Sequence, residues 1–231
     1  MTNPWNKIIV GVLCMSSLYS KDLYSVRMWG IPVATVEMYG TDSTYNDIPA
    51  RFVYFSTKTS PLTSKIFFVD NQYTLWVDPI DHRTLSFQKS TIQPGVVNSL
   101  ATEMMNNNIY YQSTDIPIPA DTFTIFSLLD FIRYHRFKEP FLCNIEREGY
   151  IFPSKLIPVS TDHNYVRYQL DIDINFPQKH PPVVEHTDIF TWALFKEGVS
   201  RQIDMNYHSN QIEACVFTSG VIRLSAKLEN E

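Results

Sequence analysis

The last third of the chain alternates apolar and polar residues with a period of two in three separate stretches, residues 168–175, 202–208 and 221–228. Successive side chains of a β-strand point to opposite faces of the sheet. Each stretch therefore predicts a strand with one buried and one solvated face, as in an antiparallel sheet that covers a single core.

Strand signals also fill most of the remaining chain, which is rich in aromatic residues at 14%. Two hairpins are predicted. The first pairs residues 24–29 with 33–39 around the turn Gly30-Ile31-Pro32, and the second pairs 73–77 with 84–89. Further strands are predicted at residues 50–57, 109–112, 141–146, 155–159 and 165–174.

Only two helices are predicted, at residues 60–68 and 122–134. The second is apolar around most of its circumference, which indicates a helix buried on all sides. We therefore expect a mainly β fold with a minor α component. It is a curved antiparallel sheet or open β-barrel of meander topology, with the longer helix packed on the concave side.

The first twenty residues differ from the rest of the chain. Lys7 precedes an apolar run at residues 8–15, and small residues follow up to Ser20. This pattern predicts a cleavable secretory signal, although a buried N-terminal strand would also fit. The run is too short to span a bilayer comfortably, and no other stretch is a candidate transmembrane segment. We expect export to the periplasm, with residues 21–231 forming a single β-rich domain.

Two cysteines, Cys143 and Cys215, remain after the predicted signal is removed. An exported chain with an even pair permits a disulfide. Each cysteine also lies in an apolar strand-like stretch, where a buried free thiol is common. The sequence leaves both possibilities open.

The charge pattern argues against polyanionic partners. The net charge is −5, and no run of lysine and arginine exceeds two residues. Nucleic-acid binding requires a clustered positive surface, so it is disfavoured. Binding to an anionic membrane surface is disfavoured for the same reason.

Candidate catalytic or metal-binding residues are few. Asp171 and Asp173 share a strand face about 7 Å apart, which could suit glycoside hydrolysis, but the pattern favours a solvated face. No nucleophile elbow and no phosphate-binding glycine loop is present, and no cofactor is predicted. Two loops contain histidine with carboxylates, and both are expected to be plain loops: His180, Glu185 and His186 in one, Asp78, Asp81 and His82 in the other.

Aromatic residues in the strand-like segments are the remaining candidates for ligand contact. Around a concave sheet they could line a hydrophobic pocket, or they could be filled core. The six candidates are Trp29, Phe52, Tyr54, Phe55, Trp76 and Trp192.

Three stretches, residues 25–38, 118–133 and 188–228, together resemble a family of bacterial exported envelope proteins, the domain-of-unknown-function 3108 family. The resemblance implies a mostly β protein, similar in some members to the half-barrel of periplasmic lipoprotein carriers, and it implies no catalytic residues. This chain departs from the family pattern at residues 212–215, where a Pro-Val pair is more usual, so the geometry of that strand is in question.

The leading functional expectation is a periplasmic binding or carrier protein for an apolar or amphipathic ligand, such as a lipid or an acyl chain. The first alternative is an envelope interaction or assembly factor that binds another protein through a sheet edge or face. The second alternative is a polysaccharide hydrolase.

Overall fold

A computed structural model describes residues 21–229. The predicted secretory signal at residues 1–20 lies outside the described residues. The strands are β1 Asp22–Met28, β2 Ile31–Tyr45, β3 Ile48–Thr59, β4 Asp70–Val77, β5 Thr84–Gln93, β6 Val96–Met105, β7 Asn108–Tyr111, β8 Pro117–Pro119, β9 Phe123–Thr124, β10 Phe141–Arg147, β11 Tyr150–Thr161, β12 Tyr165–Ile172, β13 Ser200–Asn206, β14 Gln211–Ser219 and β15 Ile222–Leu228. The helices are α1 Ile125–Tyr134 and α2 Ile189–Leu194, and Thr63–Lys65 forms a single 3₁₀ turn.

All fifteen strands belong to one sheet with an extended meander topology. Strand β1 lies in the middle of the sheet, and from it the chain proceeds strand by strand to one edge at β8. It then crosses to the other edge at β9 and returns strand by strand to β15, which pairs with β1. Every pair is antiparallel except the two-residue pair of β9 with β10. The predicted mainly β, curved meander is confirmed.

The two edges of the sheet meet through side chains. The hydroxyl of Tyr111 on β7 donates a hydrogen bond to Glu146 on β10. A small buried cluster on β6–β8 also packs against Ile151 of β11 and against Val183. The sheet therefore curls into an open barrel whose edges overlap without a continuous hydrogen-bonded ladder.

Helix α1 lies inside the curl and forms part of the main core, with Leu128 and Ile132 fully buried. Its N-terminus has a capping box in which Thr124 and Ser127 each accept a hydrogen bond from the other's backbone. The helix begins three residues later than predicted because Phe123–Thr124 pairs with β10 as β9. Neither helix within residues 21–229 is long and apolar enough to cross a membrane.

One local prediction was wrong, and two elements were not predicted. Residues 60–68 form one 3₁₀ turn instead of a helix, and their apolar residues Leu62 and Ile66 are exposed, so no core contact stabilises a longer helix. Helix α2 was not predicted because six residues are too few for a periodic signal. Strand β6 was not predicted because it has few β-branched residues after Val97. It nevertheless pairs with β5 and β7.

Adjacent antiparallel strands give the barrel two ends. The end that we call upper carries the connections at residues 29–30, 60–69, 94–95, 148–149, 173–199 and 220–221. The lower end carries the connections at residues 46–47, 78–83, 106–107, 162–164 and 207–210.

The β1–β2 hairpin at the upper end closes with the two-residue turn Trp29-Gly30, one position earlier than predicted. Met28 pairs with Ile31, and both turn residues have positive φ, 52° and 85°. This is the geometry of a type I′ turn, in which Asn-Gly is the preferred pair. A tryptophan in this conformation is unusual because its side chain makes positive φ unfavourable.

Candidate apolar ligand cavity

An apolar cavity of about 180 Å³ lies inside the curl of the sheet, between α1 and the inner face. Ile125, Phe126 and Leu129 of α1 form one wall. The sheet contributes residues from both halves of the barrel, including Met38, Phe55, Ile203, Ile212, Cys215 and Ala226.

The cavity lies between large aromatic side chains on one side and a wall of mixed side-chain size on the other. The Phe126 ring stacks on Tyr73 of β4 at 4.1 Å between centroids and lies 5.1 Å from the ring of Phe55. On the opposite wall, β14 and β15 present the small side chains of Cys215 and Ala226 beside the larger Phe217 and Leu224. The unfilled volume is therefore set by the sequence of the inner face.

The cavity volume limits what can occupy it. Engineered apolar cavities of about 150 Å³ stay dry and bind benzene, whereas pockets for drug-sized ligands have volumes of roughly 300–1,000 Å³. At about 180 Å³, this cavity accommodates one slender apolar group, such as part of a single acyl chain.

Helix α2 borders the cavity from the upper end through Phe190, Thr191 and Leu194. Arg201 of β13 donates hydrogen bonds to the carbonyls of Leu194, Lys196 and Val199, at and just beyond the C-terminus of the helix. A cation in this position is favoured by the helix dipole. Arg201 is also the only charged residue that lines the cavity within the described part of the chain.

A buried ionic cluster fixes the N-terminus of α2. The ammonium of Lys89 lies 2.7 Å from an Asp188 carboxylate oxygen and also contacts Glu148. Asp188 in turn caps α2 by accepting from the backbone N–H of Thr191 at 2.9 Å. Burial, the largest single effect, would raise the pKa of Asp188, but the charge of Lys89 and the hydrogen bonds from Lys89 and Thr191 together hold that pKa below its usual value.

A second buried ionic cluster lies near the C-terminal half of α1, toward the lower end. Asp130 is fully buried, and one of its oxygens lies 2.9 Å from Arg51 Nε and 3.0 Å from His82 Nδ1. Burial would raise the pKa of Asp130, but the His82 hydrogen bond and the Arg51 charge keep it below its usual value. A Cβ atom at Gly40 would lie 2.4 Å from the Arg51 guanidinium, so glycine at this position leaves room for the ion pair.

The structure places one of the six predicted ligand-contact residues, Phe55, in the cavity. Phe52, Tyr54 and Trp76 belong to a network of ring contacts that also includes Tyr39 and Tyr45. These three alternate with inward residues of β3 and β4, so they lie on the outer face. Trp29 is exposed in the β1–β2 turn, and Trp192 is exposed on α2. None of these five lines this cavity, and contact of any of them with a ligand stays a prediction. Both faces of β3 are apolar, so the sequence does not show which one is inward.

Most cavity-lining residues were missed as candidates, although a usable signal existed. Leu224 and Ala226 occupy one phase of the alternation in the last third of the chain, and Ile203 occupies the same phase of another stretch. The candidates were chosen because they are aromatic, and three of them, Phe52, Tyr54 and Trp76, lie on the outer face of the sheet.

Cys143 and Cys215 are free thiols. They lie on β10 and β14, which three other strands separate in the sheet. Burial raises the pKa of each thiol to about 12. Of the two possibilities that the sequence left open, the structure shows two thiols.

We expect both thiols to be unreactive in the folded protein, since the thiolate is the nucleophile and its formation is suppressed. Maleimide labelling with peptide mapping checks this. Both cysteines should react after denaturation without a reductant. A linked peptide pair, two hydrogens lighter than the reduced peptides, would contradict it.

The remaining polar candidates do not form a site. Asp171 and Asp173 are both exposed, so they do not converge in a cleft. Among residues 21–229, no group of three or more histidine, cysteine or carboxylate residues could hold a metal ion. In particular, His180, Glu185 and His186 are exposed, and Asp78 and Asp81 accept hydrogen bonds within their own turn. His82 was expected to lie in a plain loop, but it is buried against Asp130.

Glu146 is a buried carboxyl group whose pKa is raised to about 7 by burial. Hydrogen bonds from the Tyr111 hydroxyl and the Gly149 backbone N–H oppose this rise only partly. Between pH 4.5 and 7 the folded protein therefore holds a proton that the unfolded chain releases, and the contribution of Glu146 to stability falls as pH rises through this range.

The variant Glu146→Gln should remove this pH dependence, which amounts to about 3 kcal/mol at most across the range. Asp130 and Asp188, whose pKa values are lowered, lose their contributions only at more acidic pH. Urea unfolding at several pH values between 5 and 7 measures the slope. An unchanged slope in the variant would show that Glu146 is ionised in the folded protein.

Comparison with solved structures finds a fold similar to that of this chain. The crystal structure of a beta-barrel-like protein of domain of unknown function DUF1849 from Brucella abortus aligns with a TM-score of 0.56 and 9% sequence identity. The alignment covers 91% of this chain and 95% of that chain. No family model and no curated protein matches the sequence. The chain thus has a beta-barrel-like fold, and the resemblance to the 3108 family stays a prediction.

Proposed function

We propose that this protein binds or carries a single apolar or amphipathic chain, of the fatty acyl class, in the cavity between α1 and the sheet. The observation that carries the proposal is the cavity itself, which is closed by α1 on one side and lined almost wholly by apolar side chains. Apolar surface left uncovered inside a domain is unfavourable, and an apolar occupant would relieve this cost.

The chemistry of the lining favours an anionic head group at the upper end. Arg201 uses three N–H groups on backbone carbonyls, and it is the single charged group among the lining residues described. Burial lowers the pKa of Arg201, and the charge of Asp171 opposes this lowering. A ligand carboxylate near the guanidinium would stabilise its charged form further.

The proposal includes export through the predicted signal at residues 1–20, so that the protein would meet its ligand in the periplasm. The alternative of an assembly factor that pairs through a sheet edge has less support. The edge strands β8 and β9 are three and two residues long, and β8 begins and ends with proline. Short edges with proline offer few backbone groups to an added strand.

Two measurements on the full chain test the proposal. Solvent extraction of the purified protein followed by mass spectrometry should release a stoichiometric acyl compound. Titration with a fluorescent fatty acid should saturate at one site, and a fatty alcohol of equal length should compete more weakly than the acid. Repeated clean extracts together with no saturable probe binding would overturn it.

A further inference from the structure

The upper end of the barrel has an apolar rim that is separate from the cavity. Trp29 lies in the β1–β2 turn and Ile31 follows it, and Val221 lies in the β14–β15 turn and Ile222 follows it. The β3–β4 connection adds Leu62, Ile66 and Phe68. These turns are neighbours, because β3, β2, β1, β15 and β14 are consecutive in the sheet. The apolar rim consists of Trp29, Ile31, Leu62, Ile66, Phe68, Val221 and Ile222.

The side chains of the apolar rim project into solvent instead of covering one another. Ile66 is 88% exposed, Val221 is 87% exposed and Trp29 is 60% exposed. The indole of Trp29 donates a hydrogen bond to the carbonyl of Val221 at 2.8 Å, which joins the two turns. An exposed apolar group of this size on a soluble domain marks an interaction surface.

Trp29 occupies a position that the fold does not require. The type I′ turn prefers Asn-Gly, so an asparagine would fit the positive φ better than the tryptophan does. Backbone strain retained at an exposed tip is typical of a site that serves a function other than stability.

The charge around the apolar rim is positive although the whole chain is negative. Arg27, Lys65 and Arg223 are exposed on the same turns and strand ends. Lys58 is also present, and the nearby carboxylate, Asp70, lies 3.8 Å from it. The sequence scatters these cations over nearly 200 positions, so the absence of a local run of lysine and arginine does not reveal their grouping at this end.

From these observations we propose that the apolar rim docks the barrel on an anionic lipid bilayer, with the Trp29, Ile66 and Val221 side chains inserted at the headgroup level. Tryptophan and aliphatic residues at loop tips, flanked by lysine and arginine, match the interfacial zone of a bilayer. A fluid bilayer can enclose separate tips on neighbouring turns, whereas a rigid partner would require a continuous face.

The position of the cavity suits this docking. Its lining includes Thr57, Phe217, Leu224 and Val26, which lie two positions from the upper ends of their strands. An acyl chain could therefore pass from bilayer to cavity along apolar side chains. The passage of an acyl chain from the bilayer to the cavity rests on the proposed function, whereas the docking rests on the apolar rim alone.

The test uses the full chain and vesicles of phosphatidylcholine with or without phosphatidylglycerol. Flotation should show binding that increases with phosphatidylglycerol and weakens with salt. Trp29→Asn should lower the affinity for these vesicles roughly tenfold, because a large apolar side chain no longer inserts into the bilayer. Thermal unfolding of this variant should show an unchanged or more stable fold. Ile66→Ser together with Val221→Ser should have a larger effect.

Ile80→Ser is the matched control, since Ile80 is 80% exposed at the lower end, and it should bind as the wild type does. The apolar run at residues 8–15 is common to all variants, so the differences between them report the rim. Ala226→Phe, which fills the cavity, should still dock, and this separates the docking from the proposed ligand binding. Equal vesicle binding by the wild type and the rim variants would overturn the proposal. So would a concentration-dependent dimer in sedimentation velocity that the same rim variants abolish.

Discussion

Ala226→Phe should abolish acyl-probe binding, with a loss of affinity of at least about tenfold, while the protein remains folded. Ala226 lies on the inner face of β15 and lines the cavity. A benzyl group added there would occupy much of the roughly 180 Å³ and exclude the ligand. Filling an existing cavity adds apolar contacts, so the melting temperature should stay the same or rise.

Lys227→Phe is the matched control, because Lys227 is the next residue on β15 and is exposed on the outer face. It adds the same side chain without entering the barrel and should bind the probe normally. Fluorescence titration measures both variants. Unchanged binding by Ala226→Phe, with its fold confirmed by circular dichroism, would place the ligand elsewhere.

Asp130→Asn should destabilise the protein by about 3–5 kcal/mol, because it leaves the side chain of Arg51 without its buried partner. The Asp130 side chain is fully buried and that of Arg51 is only 12% exposed, so water replaces the lost interaction poorly. The same substitution removes the negative charge that faces His82 Nδ1. Urea unfolding monitored by tryptophan fluorescence gives the free energy of unfolding.

Asp204→Asn supplies the comparison on the protein surface. Asp204 accepts two hydrogen bonds from Arg167 in a bidentate pair, but the side chain of Arg167 is 48% exposed. Exposed pairs contribute about 0–1 kcal/mol, so this variant should unfold almost as the wild type does. Similar losses in the two variants would mean that burial does not set the strength of the Asp130 cluster.

The fold was predictable where the burial of an element leaves a clear spacing of apolar residues in the sequence. Strand β12 buries Val166, Tyr168, Leu170 and Ile172 in strict alternation. The buried helix α1 was predicted from its apolar circumference. The closing of the sheet by β1 and β15 was not, because pairing between residues more than 190 positions apart leaves no local signal.

The candidate site was predictable only in part. The sequence suggested a hydrophobic pocket in a concave sheet, but it did not identify which face of β3 turns inward. The two ionic clusters were missed because their members are far apart along the chain. Lys89 meets Asp188, and Arg51 meets Asp130, only in the folded barrel. The strand at residues 212–215, whose geometry was in question, pairs on both sides as β14 and shows an irregular register between Ile212 and Ala214.

The most direct test of the central claim is a crystal structure of the protein soaked with a fatty acid that carries bromine near its methyl end. Anomalous scattering locates the bromine without reference to the protein model. We predict one bromine peak in the cavity, in contact with Phe126 and Ala226, and none in the Ala226→Phe variant. Bromine peaks confined to the outer surface, or no peak at a saturating concentration, would contradict it.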